Sequence, residues 1–222
     1  MEEDLDLEEG RRLAAAKEFA YRHRYLLAVL AVAVVAGAAA GWGYARYQQA
    51  QQVAASKHYK EGLAALTEGR NGNARQAFKT LVTDYSGTTY APMGRVLRAR
   101  LLHSDGDLEG ALALLEPLVS GGTGHSEARH VAVEEAARMH WERGEVEKAL
   151  ATLEEIAGTA YQPSYFQLRG DLLAAADRPR QARSAYKRAL KQPGAEPLRS
   201  GLEARLDQLP EGDAAGADGG GE

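Results

Sequence analysis

Three histidines, His125, His130 and His140, lie close together in the sequence and are the first place to look for a metal centre. Zinc needs ligands that converge from one helix face or from two elements held together. No HExxH motif occurs, and the spacing does not put these rings on one helical face with a carboxylate partner, so no metal is expected. Gly121, Gly122 and Gly124 form a glycine-rich stretch of the kind that can cradle phosphate. No Lys-Ser or Lys-Thr pair follows it, so it reads as a long loop. There is no GxSxG elbow. The acid pairs Glu134–Glu135 and Glu154–Glu155 read as solvated helix faces. The chain contains no cysteine, which removes a thiol nucleophile, a disulfide framework, Cys-ligated metal and a lipid anchor. Neither an enzyme nor a cofactor is expected. The remaining chemistry is recognition, and it depends on how the chain repeats.

Four turns marked by glycine or aspartate each precede a short stretch with one small-large pattern: NGNARQAFKTL, DGDLEGALALL, RGEVEKALATL and ADRPRQARSAY. Reading Gly72, Gly106, Gly144 and Asp177 as the turn residues, the alanines are Ala77, Ala111, Ala149 and Ala182, at intervals of 34, 38 and 33 residues. Four residues after each comes Leu81, Leu115, Leu153 or Tyr186. A period near 34 residues is the mark of stacked helix-turn-helix units. A small residue where two helices cross lets their backbones approach, and a large one a turn later fills the next gap. Ala99, Ala137 and Gly170 mark the matching crossing points upstream. The predicted fold is all-α, a helical-repeat solenoid closed by a capping helix in AEPLRSGLEARLDQL. Such a solenoid binds along the face built by the first helix of each pair. Projecting the repeat phase, the candidate groove residues are Tyr59, Arg100, His103, Glu134, Arg138, Trp141 and Gln167. Trp141 ranks first among them, because aromatics dominate binding energetics. The alternative is that several of them pack against the capping helix.

Ahead of the repeats, residues 25–45 carry no charge and are bracketed by Arg24 and Arg46. About 20 apolar residues span about 30 Å, the thickness of a bilayer's hydrocarbon. Tyr21 and Tyr25 flank one end, and Trp42, Tyr44 and Tyr47 the other, as headgroup regions select. Arg11, Arg12, Lys17, Arg22 and Arg24 precede the segment, while only Arg46, Lys57 and Lys60 follow nearby, so residues 1–24 are expected in the cytoplasm. A cleaved signal peptide competes with this reading. Its usual short basic start and shorter apolar core differ from a 24-residue start opening MEEDLDLEE. Ala33, Gly37 and Gly41 recur at every fourth position, a small-xxx-small stripe on which another membrane helix can pack.

The net charge of −4 is concentrated at the ends. Residues 1–24 hold seven acids and five bases, and the tail from Glu211 holds four acids and no base. The middle is near neutral, unlike the basic surface of a nucleic-acid binder. The expected division is therefore residues 1–24 cytoplasmic, 25–45 transmembrane, 46–209 repeat domain and 210–222 a disordered acidic tail.

The repeats resemble the tetratricopeptide repeat from about Gln48 to Gln192. The last unit matches best, through Phe166, Gly170, Ala182, Tyr186, Ala189 and Pro193. The chain as a whole, over about residues 1–208, resembles the YfgM-like ancillary subunits of the SecYEG translocon. The resemblance rests on EEDLDLEE, on GWGYARY closing the membrane segment and on LRGDLLAAADRPRQARSAYKRAL, with LRGD at Leu168–Asp171 the most specific part. It implies a single-pass protein of the bacterial inner membrane with a periplasmic repeat domain. It also implies association with the SecYEG translocon and with a PpiD-type membrane-anchored periplasmic chaperone, in the handling of exported client proteins. A membrane-anchored adaptor for envelope assembly or stress signalling has the same fold and is the alternative.

Overall fold

The computed structural model describes residue 18 and residues 21–121, 127–158 and 162–210. Most of the acidic start, the loop residues Gly122, Gly124 and His125, and the tail from Glu211 lie outside the described residues. Every regular element described is helical. The helices are α1 (Arg24–Thr67), α2 (Asn71–Asp84), α3 (Ala91–Ser104), α4 (Leu108–Val119), α5 (Glu127–Glu142), α6 (Val146–Glu154), α7 (Pro163–Ala175), α8 (Pro179–Leu190) and α9 (Arg199–Gln208), with a 3₁₀ turn at Glu196–Leu198. The chain divides into two compact units between Ala54 and Ala55.

In the first unit, α1 is long and apolar enough to cross a membrane. Its large apolar side chains find no protein cover: Tyr25, Leu26, Val29, Leu30, Val32, Val34, Val35 and Trp42 are all exposed. Water would penalise that much apolar surface, and lipid would not. The Arg24 guanidinium lies 4.9 Å over the Tyr25 ring, and that of Arg46 lies 5.2 Å over the Trp42 ring. Each end thus pairs an amphipathic ring with a cation, a combination suited to the headgroup layer. A Cβ added at Gly37 or Gly41 would meet nothing within 4 Å, so this flank of the small-residue stripe is open.

In the second unit, four helix pairs share one turn. Gly69, Gly106, Gly144 and Asp177 take positive φ, at 72°, 87°, 78° and 56°. At Gly106 the amide donates to the His103 carbonyl, and the Asp107 amide donates to Leu102. The same two bonds recur at Gly69 with Arg70, Gly144 with Glu145, and Asp177 with Arg178. They are the Schellman ending of a helix, which satisfies orphan carbonyls and needs a residue tolerant of the left-handed region. The residue after each turn then accepts the first bond of the next helix, from Ala74, Ala111, Ala149 or Ala182. One short link therefore closes one helix and opens the next. Asp107 adds a side-chain cap, accepting from the Gly110 amide at 2.9 Å.

These turns correct the repeat phase read for the first unit. Gly72 lies inside α2, and the left-handed residue is Gly69, three positions earlier. Counted from the turn, a small residue stands seven before (Gly62, Ala99, Ala137, Gly170), an alanine five after (Ala74, Ala111, Ala149, Ala182) and a large side chain nine after (Phe78, Leu115, Leu153, Tyr186). Every one of the twelve is buried. Ala77 and Leu81 are buried too, but Leu81 fills the gap beside Gly94 of α3, the next helix along. The alanine spacing in GNARQAF of α2 hid this, because Ala74 and Ala77 sit one turn apart on the same face.

The core runs along the stack in three clusters. Ala55, Ala65, Ala74, Phe78, Leu81 and Leu101 form the first. Val96, Ala99, Ala111, Leu115, Ala132, Ala136 and Met139 form the second. The third and largest joins α5 to α8 and takes Leu202 from α9, which covers the end of the stack as a cap must. The cap is also fastened by charge: Asp171 of α7 accepts from the Tyr186 hydroxyl of α8 at 2.7 Å and from Arg205 Nε of α9 at 2.8 Å.

Candidate interaction face

The first helices of successive pairs, α3, α5 and α7, pack side by side and carry most of the predicted groove residues. Their register puts residues about one repeat apart next to each other, and the charges on that row meet across the helix boundaries. Arg100 of α3 reaches Glu135 Oε1 of α5 at 2.8 Å. Arg138 is 3.7 Å from the same oxygen and 3.2 Å from Glu134 Oε2. Ser164 of α7 donates to Glu134 Oε1 at 3.1 Å. His103 Nε2 sits 2.6 Å from Glu142 Oε2, again bridging α3 to α5. One polar line therefore crosses three helices.

Burial separates the roles along this line. The Glu134 and Glu135 side chains are only 12% and 16% exposed, whereas those of Arg138 and Arg100 are 43% and 48% exposed. The reading of Glu134–Glu135 as a solvated face is thus corrected: the carboxylates are sunk between helices, and the guanidiniums lie outermost. Isolated exposed pairs contribute little to stability, on the order of 0–1 kcal/mol each. Their larger effect is to hold long side chains in fixed positions on this face. By contrast, Glu154 and Glu155 are half exposed and pair with Arg169 and Arg129.

The predicted residues do not all belong to this line. Trp141, 37% exposed on α5, presents an indole next to Glu142 and one turn from Arg138. Gln167 is partly exposed on α7. Tyr59 is half-buried at the edge of the first cluster, with its ring 5.6 Å from that of Tyr90 and 6.4 Å from that of Phe78. It is internal packing at least in part. Ser164, Glu135 and Glu142 were missed by sequence reasoning. The available signal was spacing: Glu135 and Glu142 lie 35 and 39 residues after Arg100 and His103, one repeat on.

Of the three histidines, His140 is buried and its Nδ1 lies 2.8 Å from Glu145 Oε2. That hydrogen bond, with Arg143 and Lys148 nearby, holds the Glu145 carboxyl below its ordinary range. The pair ties the end of α5 to the turn that follows it. Among the described residues no three His, Asp or Glu side chains gather as a metal site.

The face offers fixed charges of both signs and an exposed indole, which is the make-up of a surface for another protein. Comparison with known proteins agrees with the architecture. The ancillary SecYEG translocon subunit of Escherichia coli (strain K12) is 25% identical over 202 residues, covering 90% of this chain and 96% of that protein. Solved structures share the fold at lower identity. Pseudomonas aeruginosa PilF is 12% identical with a TM-score of 0.59, covering 71% of this chain and 68% of its own. MamA from Desulfovibrio magneticus RS-1 is 15% identical with a TM-score of 0.54, covering 69% and 81%. The family profile of the tetratricopeptide repeat-like domain matches residues 17–211, from before the apolar helix through the cap, and the chain belongs to that family.

Proposed function

We propose that this chain is a non-enzymatic subunit of the protein-export machinery. It spans the bacterial inner membrane once, with residues 1–24 in the cytoplasm and the repeats in the periplasm. There it scaffolds a PpiD-type chaperone as exported proteins leave the SecYEG channel. The observation that carries this reading is the end-to-end likeness to the ancillary translocon subunit, in which apolar helix and repeats align together over nearly the full length of both chains. Many repeat proteins share the solenoid alone, so the solenoid by itself does not select a function.

In this reading the chain uses two contact surfaces, each supported by the geometry. The open flank at Ala33, Gly37 and Gly41 suits a membrane helix of the channel packing closely against α1. The polar line of Arg100, His103, Glu134 and Arg138, with Trp141 and Gln167 on the same helices beside it, suits the chaperone, with Trp141 as anchor. The test is in-membrane crosslinking of the full chain followed by mass spectrometry. Recovery of channel subunits with a periplasmic chaperone is the expected result. Recovery of envelope-assembly or signalling proteins in their place would instead favour the adaptor reading and overturn the export role.

A further inference from the structure

Helix α8 reads PRQARSAYKRAL and contains no acid. Its outer surface is a shallow depression of about 330 Å³ lined by Arg180, Arg183, Ser184, Lys187, Arg188 and Lys191. The spacing of three, four and seven residues puts these groups on one side of the helix. Like charges at that spacing repel. Arg188 is partly spent, its guanidinium lying 4.9 Å over the Phe166 ring. Lys187 and Lys191 are exposed and make no ion pair among the described residues. Neither the polar line on α3, α5 and α7 nor the apolar helix uses this face.

A second, independent observation says what arrives there. Arg183 Nη2 donates to the carbonyls of Leu209 at 3.0 Å and Pro210 at 3.2 Å. The chain is thus held against α8 at the point where it leaves α9. The twelve residues that follow Pro210, EGDAAGADGGGE, hold four acids, Glu211, Asp213, Asp218 and Glu222, and no base. Glycine-rich chains of that length have a root-mean-square span of about 20 Å. The face from Arg183 to Lys191 is about 12 Å long. The segment therefore reaches every base on it, at a local concentration in the millimolar range.

We propose that the cationic face of α8 is the docking surface for this chain's own acidic segment, residues 211–222, seated by Arg183 and drawn along Ser184 towards Lys187 and Lys191. The association is electrostatic and reversible. Other polyanions compete with the segment for the face, and salt weakens the association as it shortens the range of the charges, about 8 Å at physiological ionic strength.

The absence of cysteine allows the test to be made on the full chain in lipid nanodiscs. Nitroxide labels are attached through Ser184→Cys and Ala217→Cys, and the distance distribution between them is measured by pulsed electron resonance. The expected result is a short-distance population at low ionic strength. It should shrink severalfold in molar salt, and likewise when the four acids become Glu211→Gln, Asp213→Asn, Asp218→Asn and Glu222→Gln. These substitutions lie outside the packed repeats, so folding does not confound the comparison. Identical distributions for the acidic and neutral segments would overturn the proposal. So would shielding of the label at position 184 from a water-soluble relaxation agent by anionic but not neutral nanodiscs, unchanged by neutralising the segment. That outcome assigns the face to the bilayer surface.

Discussion

The Tyr186 ring lies directly over Gly170, so close that a Cβ on residue 170 would collide with the ring edge. The same ring sends its hydroxyl to Asp171, one residue further along α7, at 2.7 Å. A missing side chain and its neighbour's carboxylate together place one aromatic residue, and the Arg205 guanidinium from the cap completes the arrangement. Gly170→Ala should force the ring out of position and destabilise the repeat domain by about 1–3 kcal/mol. Chemical denaturation of the full chain in detergent, followed by circular dichroism, checks this. An unchanged midpoint would mean that the ring relocates freely.

Alkaline pH should act on the same group. Burial first, then the hydrogen bond to Asp171 and that carboxylate's charge, push the Tyr186 hydroxyl above its ordinary value of 10.0, and burial does the same to Tyr165. A group whose pKa is raised by folding contributes stability that is fully present below the unfolded value and is lost as pH rises through the folded one. Thermal stability should therefore fall as pH climbs beyond about 10. In Tyr186→Phe that fall should be shallower, at a cost of about 1 kcal/mol at neutral pH for the lost hydrogen bond. Melting curves from pH 7 to 11 compare the two proteins, and parallel falls would remove Tyr186 as the cause.

The corrected phase of the first repeat predicts opposite signs for two glycines three residues apart. Gly69 has φ 72°, so Gly69→Ala strains the turn and should destabilise by about 1 kcal/mol or more. Gly72 is exposed in the first turn of α2 with open space around it, so Gly72→Ala should be neutral or stabilise by up to about 1 kcal/mol. Denaturation midpoints that move in the reverse order would restore the phase based on Gly72.

Trp141 and Arg138 are exposed on α5 and contribute little to the core clusters. Trp141→Ala should lower partner recovery in membrane crosslinking by about tenfold or more, as loss of a binding hot spot does. Arg138→Ala should do so less, and both proteins should keep their melting temperature within a few degrees. A full crosslink yield with Trp141→Ala would move the interface away from this row.

Leucine at Gly37 and Gly41 should leave membrane insertion intact and block close helix approach. Channel-subunit crosslinks near the membrane should drop severalfold, while crosslinks to the periplasmic repeats persist. Loss of both sets together would indicate a general defect in the protein rather than a packing role for the stripe.

The sequence alone determined the helical class, the repeat count, the phase of three of the four units and the apolar segment. Each rests on a one-dimensional signal: uncharged length, or small and large residues recurring at fixed offsets from a turn. The phase of the first unit depended on which glycine is left-handed, and Gly69 and Gly72 are both plausible in the letters alone. Only backbone geometry distinguishes them. Nor could the sequence pair Arg100 with Glu135, His103 with Glu142 or Arg183 with the Leu209 and Pro210 carbonyls. The first two join helices about one repeat apart, and the third joins α8 to the chain leaving α9. They depend on the packing distance and rotation between neighbouring helices, which the summed shapes of the buried side chains decide.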